Sequence, residues 1–399
     1  MPHVAYIVTD PMTVKIYLKP QLQALIERNW QVSVICGGDK APSAAPPEVT
    51  GFGLYHVPMR REIHPVSDTV AFLHLFWLLM RLRPTIVNAG TPKAGLLGMV
   101  ASRLAHIPVR IYQLHGLRLE TAKGWRRYLF LLTERTACCC SHTVLCVGKT
   151  LKEQAITLGL CKPEKAVVLG AGSCAGIHVA DYAPTPERLA AAAVLKSSLE
   201  IPRDAPVVGF IGRLTKDKGI VELLSAFDTI RQQLRGAYLL LIGPFEQGDA
   251  IPEHTRQQIK ESACIRHVPW ADDPRLYFRL MDVFVLPTYR EGLPGVLLEA
   301  AASGTPIVGT DATGVLDVVV PEKTGLISPI GDADSIARNI LRVLQNRSLA
   351  MDLSRSALRK VVNEFSRKQV LQQLVLFYEE SLLQLRGTGR MRTAIVQER

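Results

Sequence analysis

Glu291 and Glu299 stand eight residues apart, and the stretch between them, Gly-Leu-Pro-Gly-Val-Leu-Leu, follows an apolar run from Val283 to Leu286 and enters an Ala-rich segment. The pattern predicts a buried strand, a glycine-bearing loop and a helix start, with Pro294 at a position suited to the first helical turn. A chain that bends in this way leaves N–H groups unpaired at the helix N-terminus, and such groups attract phosphate. Carboxylates beside a phosphate repel the ligand unless they bind its neutral hydroxyls. A phosphate cradle flanked by two hydroxyl acceptors therefore suggests a ligand that carries both phosphate and sugar.

A second cluster lies upstream. The apolar run Val207 to Ile211 ends in Gly212-Arg213-Leu214 and then Lys216-Asp217-Lys218-Gly219. Arg213 and Lys218, five apart across a glycine-flanked loop, suit a diphosphate, because Arg clamps two oxygens while Lys supplies a point charge; a solvated basic loop is the competing reading. In the first half of the chain, His115-Gly116 follows the predicted strand Val109 to Gln113, at the edge where open parallel sheets bind ligands. Trp270, after the strand Ile265 to Pro269, fits a loop over a nucleobase or an aromatic packed at a sheet edge. Arg118, Arg126 and Arg127 are candidates for an acceptor phosphate or a solvated face.

With Glu, seven residues and Glu, and Gly-Leu-Pro after the first, the sequence resembles the retaining GT-B glycosyltransferases of the large fourth family. The resemblance covers nearly the whole chain and is strongest from Gly209 to Gly331. It implies an α/β fold of GT-B type, two Rossmann-like domains with parallel sheets facing across a cleft. It also implies roles: Glu291 and His115 beside the donor sugar, Gly212, Gly292, Leu293 and Pro294 along the diphosphate, Glu299 on the ribose, Arg213 and Lys218 neutralising the leaving group, and Trp270 with the donor. Thr13 and Arg118 are weaker acceptor-side candidates. No Asp-x-Asp motif appears, and no metal or other cofactor is expected to be obligatory. The sequence departs from the family in three places. The first loop, Thr9 to Thr13, has no glycine; Ala175, Gly176 and His178 replace an Asn-Gly and a following Asp; and Leu316 stands where relatives often place an Arg ahead of Asp317.

The elements that must position these residues follow from alternation. Val4 to Thr9 reads as a strand, Lys15 to Arg28 as an amphipathic helix, and Val32 to Cys36 as the next strand, which is how a doubly wound sheet begins. A Pro/Ala loop spans Ala41 to Pro47. Strands are expected near Leu54 to Val57, Thr85 to Ala89, Thr143 to Val147, Tyr238 to Gly243 and Thr305 to Val308, and a helix over Asp332 to Gln345. With 399 residues the chain exceeds one ordinary core. An N-terminal domain over 1–182, completed by a C-terminal helix over 366–385, would precede a nucleotide-sugar domain over 205–365. A glycine-rich joint over Leu169 to His178 lies at the boundary, and a basic tail over 386–399 is expected to be disordered.

Hydrophobic residues at 48 % and charged residues at 21 % exclude a disordered chain. Of the net charge of +11, +9 falls within residues 1–184. That asymmetry suits an anionic surface, with simple solubility as the competing reading; nucleic acid is disfavoured, since no aromatic-basic nucleic-acid module appears. The helix over 69–83 is apolar from Val70 to Met80 and flanked by Arg60-Arg61 and Arg81-x-Arg83. It is too short to span a membrane, and reads as a core helix or one lying in the membrane interface. Eight cysteines without a Cys-x-x-Cys pair, and no secretory leader, suggest a reduced cytosolic compartment; the Cys138–Cys140 run reads as buried small residues.

The block Gly90 to Glu120 is similar to bacterial enzymes of capsular, O-antigen and lipid-linked oligosaccharide synthesis. The resemblance thus implies transfer of a hexose or N-acetylhexosamine from a UDP-sugar to a polyprenyl-diphosphate-linked saccharide, by a protein peripheral to the inner face of the cytoplasmic membrane. A GT-B UDP-sugar epimerase and a non-catalytic nucleotide-sugar-binding protein are the alternatives.

Overall fold

The computed structural model describes residues 1–38, 51–60, 64–173, 175–246 and 248–388. The expected loop over Ala41 to Pro47, Arg61, Cys174 and the tail beyond 388 lie outside these residues. The chain divides into two compact units, Met1–Gly176 with the chain from Arg367 onward, and Ile177–Ser366.

The first unit is a seven-stranded parallel sheet. Its strands are β1 (His3–Val8), β2 (Gln31–Cys36), β3 (Phe52–His56), β4 (Ile86–Gly90), β5 (Val109–Leu114), β6 (Thr143–Cys146) and β7 (Ala166–Val167), in the order β3-β2-β1-β4-β5-β6-β7. Strand order reverses between β1 and β4, so the loops after these two strands meet at the carboxyl edge of the sheet. There the Thr9 and Thr91 hydroxyls hydrogen-bond at 2.7 Å.

The helix expected over Lys15 to Arg28 is interrupted. A short turn over Pro11–Thr13 leads into one wide π-helical turn over Val14–Leu18, and regular α-helix occupies only Lys19–Ile26. Pro20 explains the change. It has no N–H to give to the carbonyl four residues back, and the Lys19 amide reaches instead to Val14 five residues back.

Helices α1 (Pro65–Leu82), α2 (Pro92–Leu104) and α3 (Gly124–Cys140) follow, with α2 packed against both of its neighbours. The start of α1 is fixed by His64, whose imidazole accepts from the Ser67 amide, and by Pro65 in the first turn. Only one face of α1 belongs to the core, through Ala71, Leu75, Leu78 and Leu79. The core reading of this segment therefore holds for half of its circumference, and the other half is exposed. On α3, Cys138 and Cys140 are buried as expected, whereas Cys139 is exposed.

The second unit is a six-stranded parallel sheet of β8 (Val207–Ile211), β9 (Tyr238–Ile242), β10 (Ile265–Val268), β11 (Val283–Leu286), β12 (Ile307–Thr310) and β13 (Leu326–Ser328), ordered β10-β9-β8-β11-β12-β13. The central strands β9, β8 and β11 are short, almost wholly buried apolar runs, as a sheet covered by helices on both faces requires, while the edge strand β10 is half-buried and carries Arg266 and His267. Helix α4 (Ile220–Gln233) follows β8, α5 (Gly295–Ala302) follows β11, and α6 (Ala333–Gln345) is capped by the Asp332 carboxylate. A helix over Arg347–Glu364 has no counterpart among the sequence expectations.

The last helix, α7 (Arg367–Thr388), belongs to the first unit, whose core takes in its Leu374, Val375, Phe377 and Tyr378. The buried Tyr378 hydroxyl accepts from Asn88 Nδ2 at 2.7 Å and donates to the Tyr6 hydroxyl at 3.1 Å, bridging β1 and β4 from below. The fold is the expected α/β arrangement of two Rossmann-like units.

A buried acid gives the first unit a pH-dependent stability. Glu134 on α3 accepts from the Tyr112 hydroxyl at 2.6 Å, and desolvation raises its carboxyl to about 7 despite that hydrogen bond. Its folded pKa exceeds the unfolded value, so its contribution is complete at low pH and is lost as pH rises from about 4.5 through 7. Glu134→Gln, which keeps an acceptor for Tyr112, should therefore melt several degrees above wild type at pH 8 in scanning calorimetry. The gap should close toward pH 5; a gap that stayed constant with pH would show that Glu134 is ionised throughout.

Candidate nucleotide-sugar site

The order β9-β8-β11-β12 puts the reversal point of the second sheet between β8 and β11, where the crevice of an open α/β sheet receives its ligand. The loop after β8 carries Gly212, Arg213 and Lys218, and the loop after β11 carries Glu291 to Pro294. Residues more than seventy positions apart meet here, as Lys218 Nζ pairs with Glu291 Oε1. Arg213 pairs with Glu246, which lies beyond the end of β9.

Asp217 fastens the two loops. Its carbonyl accepts from the Tyr289 amide at 2.8 Å and from the Thr288 hydroxyl at 3.1 Å. One carboxylate oxygen accepts from Thr215 at 2.6 Å and the other from Arg290 at 2.7 Å. Desolvation pushes the Asp217 pKa up, but the Thr215 hydrogen bond and the charges of Arg290, Lys218 and Arg213 outweigh it, and the net shift is downward. The Asp217 amide donates to Asp249 at 2.8 Å, tying in the chain beyond β9.

The Glu291 turn is held from its other side by the loop after β12. The Glu291 amide donates to the Thr313 carbonyl at 3.1 Å. Gly314, at φ 80°, lies so close that a Cβ would stand 2.4 Å from the Gly292 carbonyl oxygen, which is why a glycine occupies the position. Pro294 is the residue before α5 and Gly295 the first within it, one place later than the sequence suggested. As the opening turn of a helix, Gly295 and Val296 have amides with no intrahelical acceptor, aimed out of the helix end.

Glu299 lies one turn further along α5. The Tyr182 hydroxyl hydrogen-bonds its carboxylate, and desolvation still raises Glu299 to about 7. Tyr182 is itself fixed by Phe278, ring centroids 6.4 Å apart, and its carbonyl accepts from the Arg279 guanidinium. Trp270, past the end of the edge strand β10, is 63 % exposed, and its Nε1 donates to Asp272 at 3.2 Å. It is therefore not an edge-packing aromatic.

The remaining candidates belong to the first unit. His115 follows β5 and lies directly over Gly90 at the end of β4, where a Cβ would come within 2.6 Å of its Nε2. Desolvation lowers His115 to about 4, so the imidazole is neutral at physiological pH and acts as a hydrogen-bonding group, not as a cation. Thr13 ends the short turn that Asp10 caps by accepting from the Met12 amide at 2.9 Å. Arg118 stacks over the Phe130 ring at 5.2 Å.

The second unit thus gathers Gly212, Arg213, Lys218, Glu291, Gly292, Leu293, Pro294 and Glu299 around one strand reversal, with Trp270 two strands away. Glu246, Tyr182 and the bracing role of Asp217 escaped the sequence reading. Asp217 alone carried a signal, as an acid between two lysines. Chemically, two cations, a helix start and flanking carboxylates are groups of the kind that bind phosphate and hydroxyl oxygens.

Two family models match the chain, "Glycosyl transferase 4-like domain" over residues 13–172 and "Glycosyl transferases group 1" over residues 205–346. The chain is similar to the capsular polysaccharide biosynthesis glycosyltransferase CapM of Staphylococcus aureus, 32 % identical over 370 residues that cover 93 % of this chain and 95 % of that one. It is also similar to an Escherichia coli UDP-Gal:alpha-D-GlcNAc-diphosphoundecaprenol alpha-1,3-galactosyltransferase, at 25 % identity over 77 % of this chain and 78 % of that protein. In fold it matches Anabaena Alr3699/HepE in complex with UDP-glucose, with a TM-score of 0.76 at 16 % identity, over 95 % of this chain and all of that one.

The packing of His115 on Gly90 can be tested directly. In Gly90→Ala the new methyl should drive the imidazole toward solvent. Its titration midpoint, followed by NMR, should move from about 4 toward the ordinary histidine value. An unmoved midpoint would mean that Gly90 does not set the position of His115.

Proposed function

The chain belongs to the group 1 glycosyl transferases, GT-B enzymes of the fourth-family type, and from that premise we propose a retaining transferase that moves a hexosyl or N-acetylhexosaminyl group from a UDP-sugar to a polyprenyl-diphosphate-linked saccharide. The observation that carries the reading is the meeting of Arg213, Lys218 and Glu291 at one strand reversal, beside the start of α5. The UDP donor and lipid-linked acceptor are supported by the name of the E. coli relative and by the UDP-glucose bound to the Anabaena protein. CapM supports a place in surface polysaccharide synthesis.

In this reading the diphosphate enters between the loops after β8 and β11. It takes Arg213 and Lys218 from their present carboxylate partners and accepts from the amides of the Glu291 turn and of the first turn of α5. As the anomeric C–O bond breaks, charge grows on the departing phosphate oxygen, and these cations and dipoles stabilise it without reorganising. Glu291, released from Lys218, holds and polarises the sugar hydroxyls. The acceptor hydroxyl approaches from the face the diphosphate leaves, and the departing oxygen takes its proton, which gives retention. Glu299 receives the ribose hydroxyls in exchange for Tyr182. Neutral His115 contributes a hydrogen bond to the sugar, while Thr13 and Arg118 serve the acceptor. Because the acceptor is tethered to a polyprenyl chain, the enzyme works at the inner face of the cytoplasmic membrane.

Incubation of the protein with a panel of nucleotide sugars and a lipid-linked acceptor pool should produce a mass gain of one sugar, read by mass spectrometry. Conversion of donor to an epimer without acceptor would overturn the reading in favour of an epimerase. Binding of nucleotide with neither product would leave a non-catalytic protein. Glu291→Gln should lower kcat about a hundredfold while the donor Kd changes only a few-fold. Near-normal turnover would remove Glu291 from the site.

A further inference from the structure

The outer face of α1 is apolar along its whole length. Val66, Val70, Leu73, Trp77 and Met80 are all exposed, Leu73 at 58 % and Trp77 at 56 %. Their spacing of four, three, four and three is the spacing of one helical stripe, opposite the buried face of Ala71, Leu75, Leu78 and Leu79. From Val66 to Met80 the stripe runs for about 21 Å along the helix. Among the described residues no helix is long and apolar enough to cross a membrane.

The exposed charges described on α1 and at its C-cap are those of Arg81 and Arg83. The single carboxylate on α1, Asp68, is paired with Lys93 of α2 at 2.7 Å. At the other end Arg81 and Arg83 are exposed, and the Arg81 guanidinium stacks 5.5 Å from the Trp77 ring centroid. Beside them, between α1 and the edge strand β3, a recess of about 270 Å³ is lined by Tyr55, His56, His74, Trp77 and Arg81 among others. A second stripe of the same composition runs along α3. Trp125, Tyr128 and Leu132 are exposed there, and Arg126 stacks over Trp125 at 5.8 Å.

We infer that the outer face of α1 lies in the headgroup layer of an anionic phospholipid bilayer, with a lipid phosphate seated against Arg81 in the recess beside β3. A protein partner would be expected to meet charges of both signs at its rim. Here the one carboxylate described on α1 is neutralised by Lys93, the exposed charges are those of Arg81 and Arg83, two tryptophans are each stacked with an arginine, and the surrounding sequence holds most of the net positive charge. Aromatic rings beside guanidinium groups suit the boundary where apolar chains give way to phosphates. The α3 stripe supplies a second contact. The biological sense of the inference rests on the lipid-linked acceptor proposed above, but its test does not require turnover.

Flotation with phosphatidylglycerol–phosphatidylcholine vesicles should carry the wild-type protein to the lipid fraction, and pure phosphatidylcholine should carry less. Leu73→Gln with Trp77→Gln, both at exposed positions, should lower partitioning about tenfold or more without a change in Tm. Arg81→Glu should abolish the preference for phosphatidylglycerol. Variants that float like wild type would overturn the inference. So would a wild-type dimer in light scattering that the double variant converts to monomer, because the face would then belong to a second copy. Transfer to a short-chain, detergent-solubilised acceptor should be unchanged in the double variant. If wild type floats but transfers no sugar, the docking surface stands and the proposed reaction falls.

Discussion

The second unit depends on how Asp217 joins two loops that are far apart in sequence. Its carbonyl and carboxylate accept from Thr288, Tyr289 and Arg290 in one loop and from Thr215 in its own. Backbone and side chain are used together, so neither loop can shift without breaking hydrogen bonds to a charged acceptor, which are stronger than neutral ones. The neighbouring positions inherit this fixity. Lys218 follows Asp217 and meets Glu291, which follows Arg290. The strand reversal brings the loops to the same crevice, and Asp217 sets their register within it.

The same crevice illustrates how cations are kept in place before an anion arrives. Arg213 and Lys218 are paired with Glu246 and Glu291, and Glu299 with the Tyr182 hydroxyl. Each group that a sugar diphosphate would engage already has a partner of the matching kind. Internal pairs of this sort offset part of the desolvation cost of a charged pocket. In the proposed reaction, ligand entry would be an exchange of partners.

Much of this was legible in the sequence because it is written in local periods. The apolar runs from Val207 to Ile211 and from Val283 to Leu286 are strands with the expected bounds, since a strand buried on both faces has no other way to appear. The Gly-Leu-Pro turn and the loop bearing Arg213 and Lys218 were identifiable from residue type and spacing. What escaped was non-local or depended on one atom. Pro20 widens one turn of a helix whose apolar pattern continues through it. Tyr182 and Glu246 matter through partners more than thirty residues away, and no spacing encodes that distance. The two faces of α1 could not be told apart by apolarity, because both are apolar and only packing against the sheet separates them.

The position of α7 has a consequence for biosynthesis. The core of the first unit is closed by Tyr378 and its neighbours, drawn from the last stretch of described chain, while every strand of that unit precedes residue 168. The second unit is continuous from Ile177 to Ser366. On a ribosome that emits the chain from its N-terminus, the later unit can finish folding while the earlier one still lacks a wall. Tyr6 and Asn88 lie 372 and 290 residues ahead of the hydroxyl they share, and wait for it through that length of synthesis. Order of emergence and order of completion are therefore opposite in this chain, and the first unit is the one a nascent-chain chaperone has reason to hold.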